Sequence, residues 1–190
     1  ASTMPGSGAL QVSYSSDGNN WSKLETSPGD ADRRGTAISI ATFDNKLWVA
    51  TCTNNYKGVI QLSFFDGTSW SPTESRPGND DRRASYISLA SFNKKLYMAS
   101  STPEDGIIQI SSYDRTGSYD GNGWGPLINL IWTASPLQLI SSPNRLLLVT
   151  TMPGDLIIQG AYTEDEKTWT PLDIKAFYGV KAPMISGVYF

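Results

Sequence analysis

Short segments of alternating apolar and polar residues run along the whole chain, separated by turns rich in Gly, Pro, Asp and Asn. Alternation with a period of two is typical of strands, and no stretch has a convincing helical period. One kind of segment recurs at positions 38–41, 87–90, 137–140 and 184–187, and a second kind at 46–50, 95–99 and 145–149. The pattern therefore predicts a chain built from strands and tight turns.

A third kind of segment, with the pattern Gln-x-Ser, occurs at 11–14, 61–64 and 109–112. An Asp and, four positions later, a Trp recur four times along the chain, as Asp17 and Trp21, Asp66 and Trp70, Asp120 and Trp124, and Asp165 and Trp169. Repeats of about 48 residues with four strands each are typical of β-propellers. We therefore predict an all-β fold, a β-propeller with four blades of four antiparallel strands.

The two ends of the chain resemble parts of one repeat. Residues 2–6 match 150–154, the end of a second strand, and residues 184–190 match a first strand. Pairing of the N- and C-terminal strands would close the ring and hide its edges. The prediction is a single domain over 1–190, with repeats at about 9–58, 59–106, 107–154, and 155–190 together with 1–8. The N-terminal second strand is short, so completion of the closing blade by a partner chain stays open.

Composition excludes several classes of function. The formal net charge of −3 argues against nucleic-acid binding, and the absence of His excludes His-dependent catalytic triads and His metal sites. Cys52 has no second Cys to pair with and is predicted to be buried at a strand end, and Trp48 and Tyr97 are predicted core residues. No apolar run is long enough to insert into a membrane. The cellular location stays open between cytosolic synthesis and secretion.

The Asp and Trp of each repeat have a structural interpretation. Asp in a hairpin turn accepts hydrogen bonds from backbone N–H groups, and the following Trp is expected to lie between blades. Residues 15–21 and 118–124 resemble shortened Asp-box repeats of sialidase-like propellers and propeller lectins. The resemblance implies a propeller fold in which the box is a folding device away from the binding site.

The loops that join one blade to the next are the predicted binding site. Two of them share the motif Pro-Gly-(Asp/Asn)-x-Asp-Arg-Arg, at 28–34 and 77–83, whereas the third carries 131–133 and the fourth 177–181. Arg donors with Asp acceptors can bind vicinal hydroxyls, and an aromatic ring can stack on a sugar. The predicted ligand-binding residues are Arg33, Arg34, Asp32, Arg82, Arg83, Asp81, Trp132, Tyr178 and Tyr56.

The chain also resembles fucose-binding propeller lectins in blade size, and these hold sugar between blades with Arg, an acid and an aromatic. That resemblance implies a sugar-binding role for the four arginines at 33, 34, 82 and 83. The competing interpretation is that the Asp–Arg pairs lock one blade to the next. No catalytic residue, metal or cofactor is predicted, and a calcium site is the minor alternative, built from Glu104, Asp105 and Asp155 with Asp30 and Asp80.

The sequence thus predicts a carbohydrate-binding lectin without catalytic activity, multivalent and haemagglutinating, whose partners are glycans. It is not expected to be an enzyme, and a homodimer stays open. Two alternatives remain. One is a haemopexin-like four-bladed interaction module, and the other is a sialidase-type glycoside hydrolase, which needs three Arg around the substrate carboxylate and a Tyr nucleophile.

Overall fold

Four antiparallel sheets follow one another along the chain in a computed structural model of the protein. The structure describes residues 1–4, 7–26, 28–30, 33–53, 58–79, 81–117, 123–152, 154–155 and 157–172. Within these residues the regular elements are strands, and no helix is present. The all-β propeller fold predicted from the repeats is therefore confirmed.

Sheets I and II are built from the first half of the chain. Sheet I contains β1 (Ser2–Thr3), β2 (Leu10–Val12) and β3 (Glu25–Thr26), and sheet II contains β4 (Ala37–Phe43), β5 (Lys46–Cys52), β6 (Ile60–Phe65) and β7 (Glu74–Ser75). In both sheets neighbouring strands in the sequence are neighbours in space. The strand predicted to complete sheet I, at 184–187, lies outside the described residues.

Sheets III and IV repeat this meander. Sheet III contains β8 (Tyr86–Phe92), β9 (Lys95–Ser101), β10 (Ile107–Gly117), β11 (Gly123–Trp124) and β12 (Ile128–Thr133), and sheet IV contains β13 (Leu137–Ser141), β14 (Leu146–Thr151), β15 (Ile158–Thr163) and β16 (Thr170–Pro171). Both β11 and β12 pair with β10, at different parts of its length. Residues 131–133, predicted to be part of a loop, therefore end a strand instead.

The hairpins between first and second strands follow from local chemistry. Asp44 and Asn45, like Asn93 and Lys94, have positive φ angles of 46–61°. Positive φ at both central residues defines the turn whose twist matches the flanking strands, and Asn and Asp tolerate it well. The two hairpins predicted at these dipeptides are confirmed.

The core lies in layers between the sheets. Trp48, Ile60 and Leu62 of sheet II pack against Leu89 and Met98 of sheet III. A second layer joins sheets III and IV, and a smaller one joins Leu10 and Val12 of sheet I to sheet II. Trp48, Tyr97 and Cys52 are all buried, as predicted. Since a single sheet cannot bury both faces alone, these layers are what holds the repeats together.

Backbone hydrogen bonds also connect each sheet to the next at one end of the strands. Gly35 N donates to Gly8 O at 2.8 Å, Ala84 N to Gly58 O at 2.7 Å and Ala134 N to Gly106 O at 2.9 Å. The three acceptors lie in equivalent loops: Gly8 between β1 and β2, Gly58 between β5 and β6, and Gly106 between β9 and β10. The donor lies just before the first strand of the next sheet, or directly after β12 in sheet III.

We expect Gly58→Ala to be more destabilising than Gly18→Ala, although both glycines have positive φ, of 77° and 75°. A β-carbon at Gly58 would lie 2.5 Å from Ala84 O, whereas nothing lies within 4 Å of one at Gly18. The shared backbone strain costs about 1–2 kcal/mol, and the clash at Gly58 should add about 1–3 kcal/mol. Urea unfolding of both variants measures the difference, and equal losses would contradict the role assigned to the Gly58 contact.

Candidate functional site

The loops of the described residues lie at two opposite ends of the strands. We call one end the loop rim, which comprises residues 28–30, 33–36, 58–59, 76–79, 81–85, 102–106 and 134–136. The other is the Asp-turn rim, which comprises residues 16–20, 44–45, 66–69, 93–94, 142–145 and 164–168. Those predicted site residues of the motif loops that the structure describes fall on the loop rim, namely Arg33, Arg34, Asp81, Arg82 and Arg83. Rims of this kind carry function because loops vary without disturbing the sheets.

Arg33 and Arg82 are completely enclosed at the base of the loop rim. Arg82 donates from Nε to Ser100 Oγ at 3.1 Å, and from Nη1 to Pro77 O at 3.2 Å and Ser111 Oγ at 2.5 Å. Its Nη2 donates to Met98 O and Gln109 O at 3.1 and 3.2 Å. The guanidinium thus ties the motif loop to the second and third strands of sheet III.

Arg33 occupies the equivalent place in sheet II. It donates from Nη1 to Pro28 O at 3.2 Å and to Ser63 Oγ, and from Nη2 to Val49 O at 2.6 Å. Burial lowers the pKa of Arg33 to about 10 and that of Arg82 to about 9, so both stay charged at neutral pH. We therefore assign both to the structure, because their burial leaves no guanidinium surface for a sugar.

One signal in the sequence accompanies the buried arginines. Ser63 and Ser111, which accept from Arg33 and Arg82, are the Ser residues of the Gln-x-Ser pattern in the third strands β6 and β10. The same repeat position in sheet IV is Ala161, which is buried, and the stretch before sheet IV carries no arginine motif. Among sheets II to IV, this Ser is present only where an arginine motif precedes the sheet, whereas Ser13 of sheet I holds the same position without such a motif.

Arg34 and Arg83 are the arginines that reach the surface. Each adjoins its buried neighbour and forms an isolated antiparallel bridge to the preceding sheet, Arg34 with Ala9 and Arg83 with Val59. The side chain of Arg34 is exposed and that of Arg83 is half-buried. The two lie at equivalent junctions between successive sheets, so they remain the predicted ligand-binding arginines.

The remaining predicted site residues differ in exposure, and three of them lie outside the described residues. Asp81 is exposed on the loop rim, next to Arg82, and its backbone N donates to Asn79 Oδ1 at 2.7 Å. Trp132 is half-buried and packs on the core between sheets III and IV, so only part of its ring can meet a ligand. Asp32, Tyr56 and Tyr178 lie outside the described residues.

Glu104 and Asp105 are further exposed carboxylates of the loop rim. Asp105 Oδ1 accepts from the Thr102 hydroxyl and, at 3.2 Å, from Ile107 N. These hydrogen bonds lower the pKa of Asp105, the Thr102 hydroxyl contributing most. Asp105 is therefore a fixed, ionised carboxylate at the junction of sheets III and IV. Within the described chain, no cluster of three or more His, Cys, Asp or Glu side chains is arranged to hold a metal ion.

Each described Asp-turn carboxylate accepts hydrogen bonds from backbone N–H groups of its own turn. Asp66 Oδ1 accepts from Thr68 N and Ser69 N at 2.8 and 2.9 Å, and Asp17 and Asp165 do the same in their repeats. Backbone hydrogen bonds lower the pKa of all three carboxyls. The hydrogen-bonding role predicted for these residues is confirmed, and Asp120 lies outside the described residues.

The Trp of each repeat does not always lie between sheets. Trp124 is fully buried, and Trp70 and Trp169 pack on the layers between sheets I and II and between sheets III and IV. Trp70 also donates from Nε1 to Glu25 Oε2 at 2.8 Å. Trp21 differs, since 64% of it is exposed. Packing of the Trp between sheets is thus confirmed for Trp70, Trp124 and Trp169 of sheets II to IV and wrong for Trp21 in sheet I.

Two solved structures of glycoside hydrolases share this fold. An exo-β-1,3-galactanase from Phanerochaete chrysosporium matches 87% of this chain and 43% of its own, with a TM-score of 0.55 and 15% identity. A family 117 glycoside hydrolase from the marine bacterium Zobellia galactanivorans matches 86% of this chain and 54% of its own, with a TM-score of 0.54 and 12% identity. The chain spans about half the length of these two structures.

No protein-family model matches the chain, and no curated protein matches it. The resemblance to Asp-box and fucose-binding lectins is therefore not shown at the level of family. In the described part of the chain, no helix has the length and apolar character that crossing a membrane requires.

The comparisons correct two predictions. A lectin without catalytic activity was expected, and a protein that is not an enzyme, but both solved structures named above, which share the fold, are glycoside hydrolases. Both predictions are contradicted. The lectin prediction was based on residue types. Arg, Asp and aromatic residues bind sugars in lectins and in hydrolases, so these residue types do not distinguish the two classes of protein.

Proposed function

We propose that this chain is the propeller of a glycoside hydrolase and that its loop rim binds and cleaves a glycan. The observation that carries the proposal is the match of more than four-fifths of the chain to the two hydrolase structures. The substrate class that the galactanase suggests is a β-1,3-linked galactan. Arg34 and Arg83 are suited to bind its hydroxyl groups, because a guanidinium donates several hydrogen bonds in a fixed plane.

Glycoside hydrolysis needs two carboxyl groups on either side of the scissile bond. One protonates the leaving oxygen, and the other attacks the sugar or activates a water. Asp81, Glu104 and Asp105 are exposed on the loop rim, and Asp105 is held in the ionised form that a nucleophile or base requires. The carboxylates of Asp17, Asp66 and Asp165 are held in the ionised form as well, by backbone N–H groups of their own turns. The loop rim differs because it also carries Arg34 and Arg83, whose guanidinium groups are suited to bind glycan hydroxyls, and this combination supports the loop rim as the site.

The direct test is an activity assay of the chain with β-1,3-galactan, β-1,3-linked galacto-oligosaccharides and chromogenic galactosides. Released reducing ends and free sugars are measured against a heat-denatured control. We expect turnover of at least one of these substrates. The absence of product above the control with every substrate, from protein that is folded by circular dichroism, would overturn the proposal.

A further inference from the structure

The three junctions between successive sheets are built on one register, and the third differs from the first two. Arg34 and Arg83 each pair antiparallel with a residue of the preceding sheet, directly before β2 and β6 begin. Thr133 makes the same pairing with Ile107, the first residue of β10. Thr133 therefore stands where the other two junctions have their surface arginine.

The connection into sheet IV is also shorter than the connection into sheet III. In sheet II, seven residues (76–82) separate the last paired residue of β7 from Arg83. In sheet III, three residues (130–132) separate the equivalent residue, Asn129, from Thr133. The junction of sheets III and IV thus has a shorter loop and a smaller side chain, so the loop rim carries less of the chain there than at the junction before it.

Trp132 holds the repeat place of the buried Arg82. The guanidinium of Arg82 donates to Ser111, whereas the equivalent residue of sheet IV is the buried Ala161. An apolar ring needs no acceptor at this place, and Trp132 packs on the apolar layer between sheets III and IV. Arg82 is completely enclosed, but Trp132 keeps part of its indole exposed. The exchange of Arg for Trp therefore brings an aromatic surface to the loop rim.

Two exposed carboxylates belong to the same junction. Glu104 and Asp105 lie in the loop that joins β9 to β10, and Ile107, which follows, is the residue paired with Thr133. Asp105 Oδ1 accepts from Ile107 N at 3.2 Å, so this carboxylate is fixed beside the junction. An indole surface can pack against the C–H face of a pyranose, and carboxylates accept hydrogen bonds from its hydroxyl groups.

We propose that the junction of sheets III and IV is the principal sugar subsite of the loop rim, with Trp132 as the ring on which a pyranose stacks. The stacked sugar then lies beside Glu104 and Asp105, and Arg34 and Arg83 at the other two junctions bind sugars further along the glycan. Trp132 is a specificity-determining residue in this arrangement, because it binds the sugar and takes no part in proton transfer. The inference rests on the proposed function, since it assigns different roles to parts of the same rim.

The test is the affinity of the full chain and its variants for β-1,3-galactotriose, measured by calorimetric titration, together with KM and kcat on the same sugar. We expect Trp132→Ala to raise the dissociation constant and KM by at least about tenfold, as the loss of a central aromatic ring does at many binding sites. The change in kcat should stay within about threefold, because the lost interaction is one of binding. Trp132→Phe should recover most of the lost affinity.

Trp169→Ala is the matched control. Trp169 is also half-buried and packs on the same layer between sheets III and IV, but it directly follows the Asp turn of sheet IV at the opposite rim. The two alanine variants should therefore lose similar stability in urea unfolding, whereas only Trp132→Ala should lose affinity. This comparison separates a binding role of Trp132 from its role in packing.

The outcomes distinguish this inference from the proposed function. Turnover by the wild-type chain with unchanged affinity in Trp132→Ala, or with an equal loss in Trp169→Ala, overturns the subsite and leaves the hydrolase standing. Binding that depends on Trp132 without any product contradicts the hydrolase and supports the subsite. A folded chain that neither binds nor cleaves the sugar overturns both.

Discussion

Arg82→Met should lower the free energy of unfolding by about 3 kcal/mol. The guanidinium of Arg82 is buried and donates to two hydroxyls and three backbone carbonyls in sheet III and its motif loop. Methionine fills part of the volume but donates nothing, so buried acceptors lose their donors. Equilibrium urea unfolding, followed by tryptophan fluorescence, measures the loss.

Arg83→Met is the matched control for this prediction. Arg83 is the next residue, has the same side chain and is half-buried, and among the described residues its side chain donates one hydrogen bond, from Nη1 to Arg82 O at 3.4 Å. Its replacement should change the unfolding free energy by less than about 0.5 kcal/mol. If both variants lost the same stability, the division of the pair into one structural and one surface arginine would be incorrect.

The second large effect concerns the carboxylates of the loop rim. We expect two of the three variants Asp81→Asn, Glu104→Gln and Asp105→Asn to lower kcat by about 10²–10⁴-fold, because a hydrolase needs both carboxyl groups and an amide can neither protonate nor attack. Each replacement keeps the size and shape of the side chain. Steady-state kinetics on the substrate identified in the activity assay gives kcat for each variant.

Asp66→Asn serves as the control for this series. Asp66 is also exposed, but its carboxylate is engaged with Thr68 N and Ser69 N on the opposite rim. Its replacement should leave kcat within about twofold of the wild type, the scatter expected at a surface position away from the chemistry. Unchanged kcat in all three loop-rim variants, or a large loss in Asp66→Asn, would assign catalysis to other residues.

The strands and turns were predictable because their signals are local. The period-two alternation, the Asp–Trp spacing and dipeptides such as Asp44-Asn45 each fix a few backbone angles, and the fold repeats them. The extension of sheet III through Ile131 was not predictable in this way. Ile131 is 97% exposed, and its strand forms only because the edge of β10 is long enough to pair with both β11 and β12.

The candidate site was predictable in its position along the chain but not in its detail. The Arg-Arg pairs at 33–34 and 82–83 look alike in sequence, and the direction of the backbone before the first strand decides which member turns inward. The exposure of Trp21 was not predictable either, because the sequence around Trp21 has the same pattern as that around Trp70, which packs on the core. Whether such a ring is covered depends on which sheet lies beside it, and that is a property of the whole ring of blades rather than of the repeat.

We propose that the loop rim, and not the Asp-turn rim, acts on a glycan. The most direct test is hydrogen–deuterium exchange of the protein, with and without a β-1,3-linked galacto-oligosaccharide. We expect slower exchange in peptides that contain Arg34, Arg83 and Glu104, and no change around Asp17, Asp66 and Asp165. Protection confined to the Asp turns, or no protection at a saturating concentration of a glycan that the protein cleaves, would contradict the proposal.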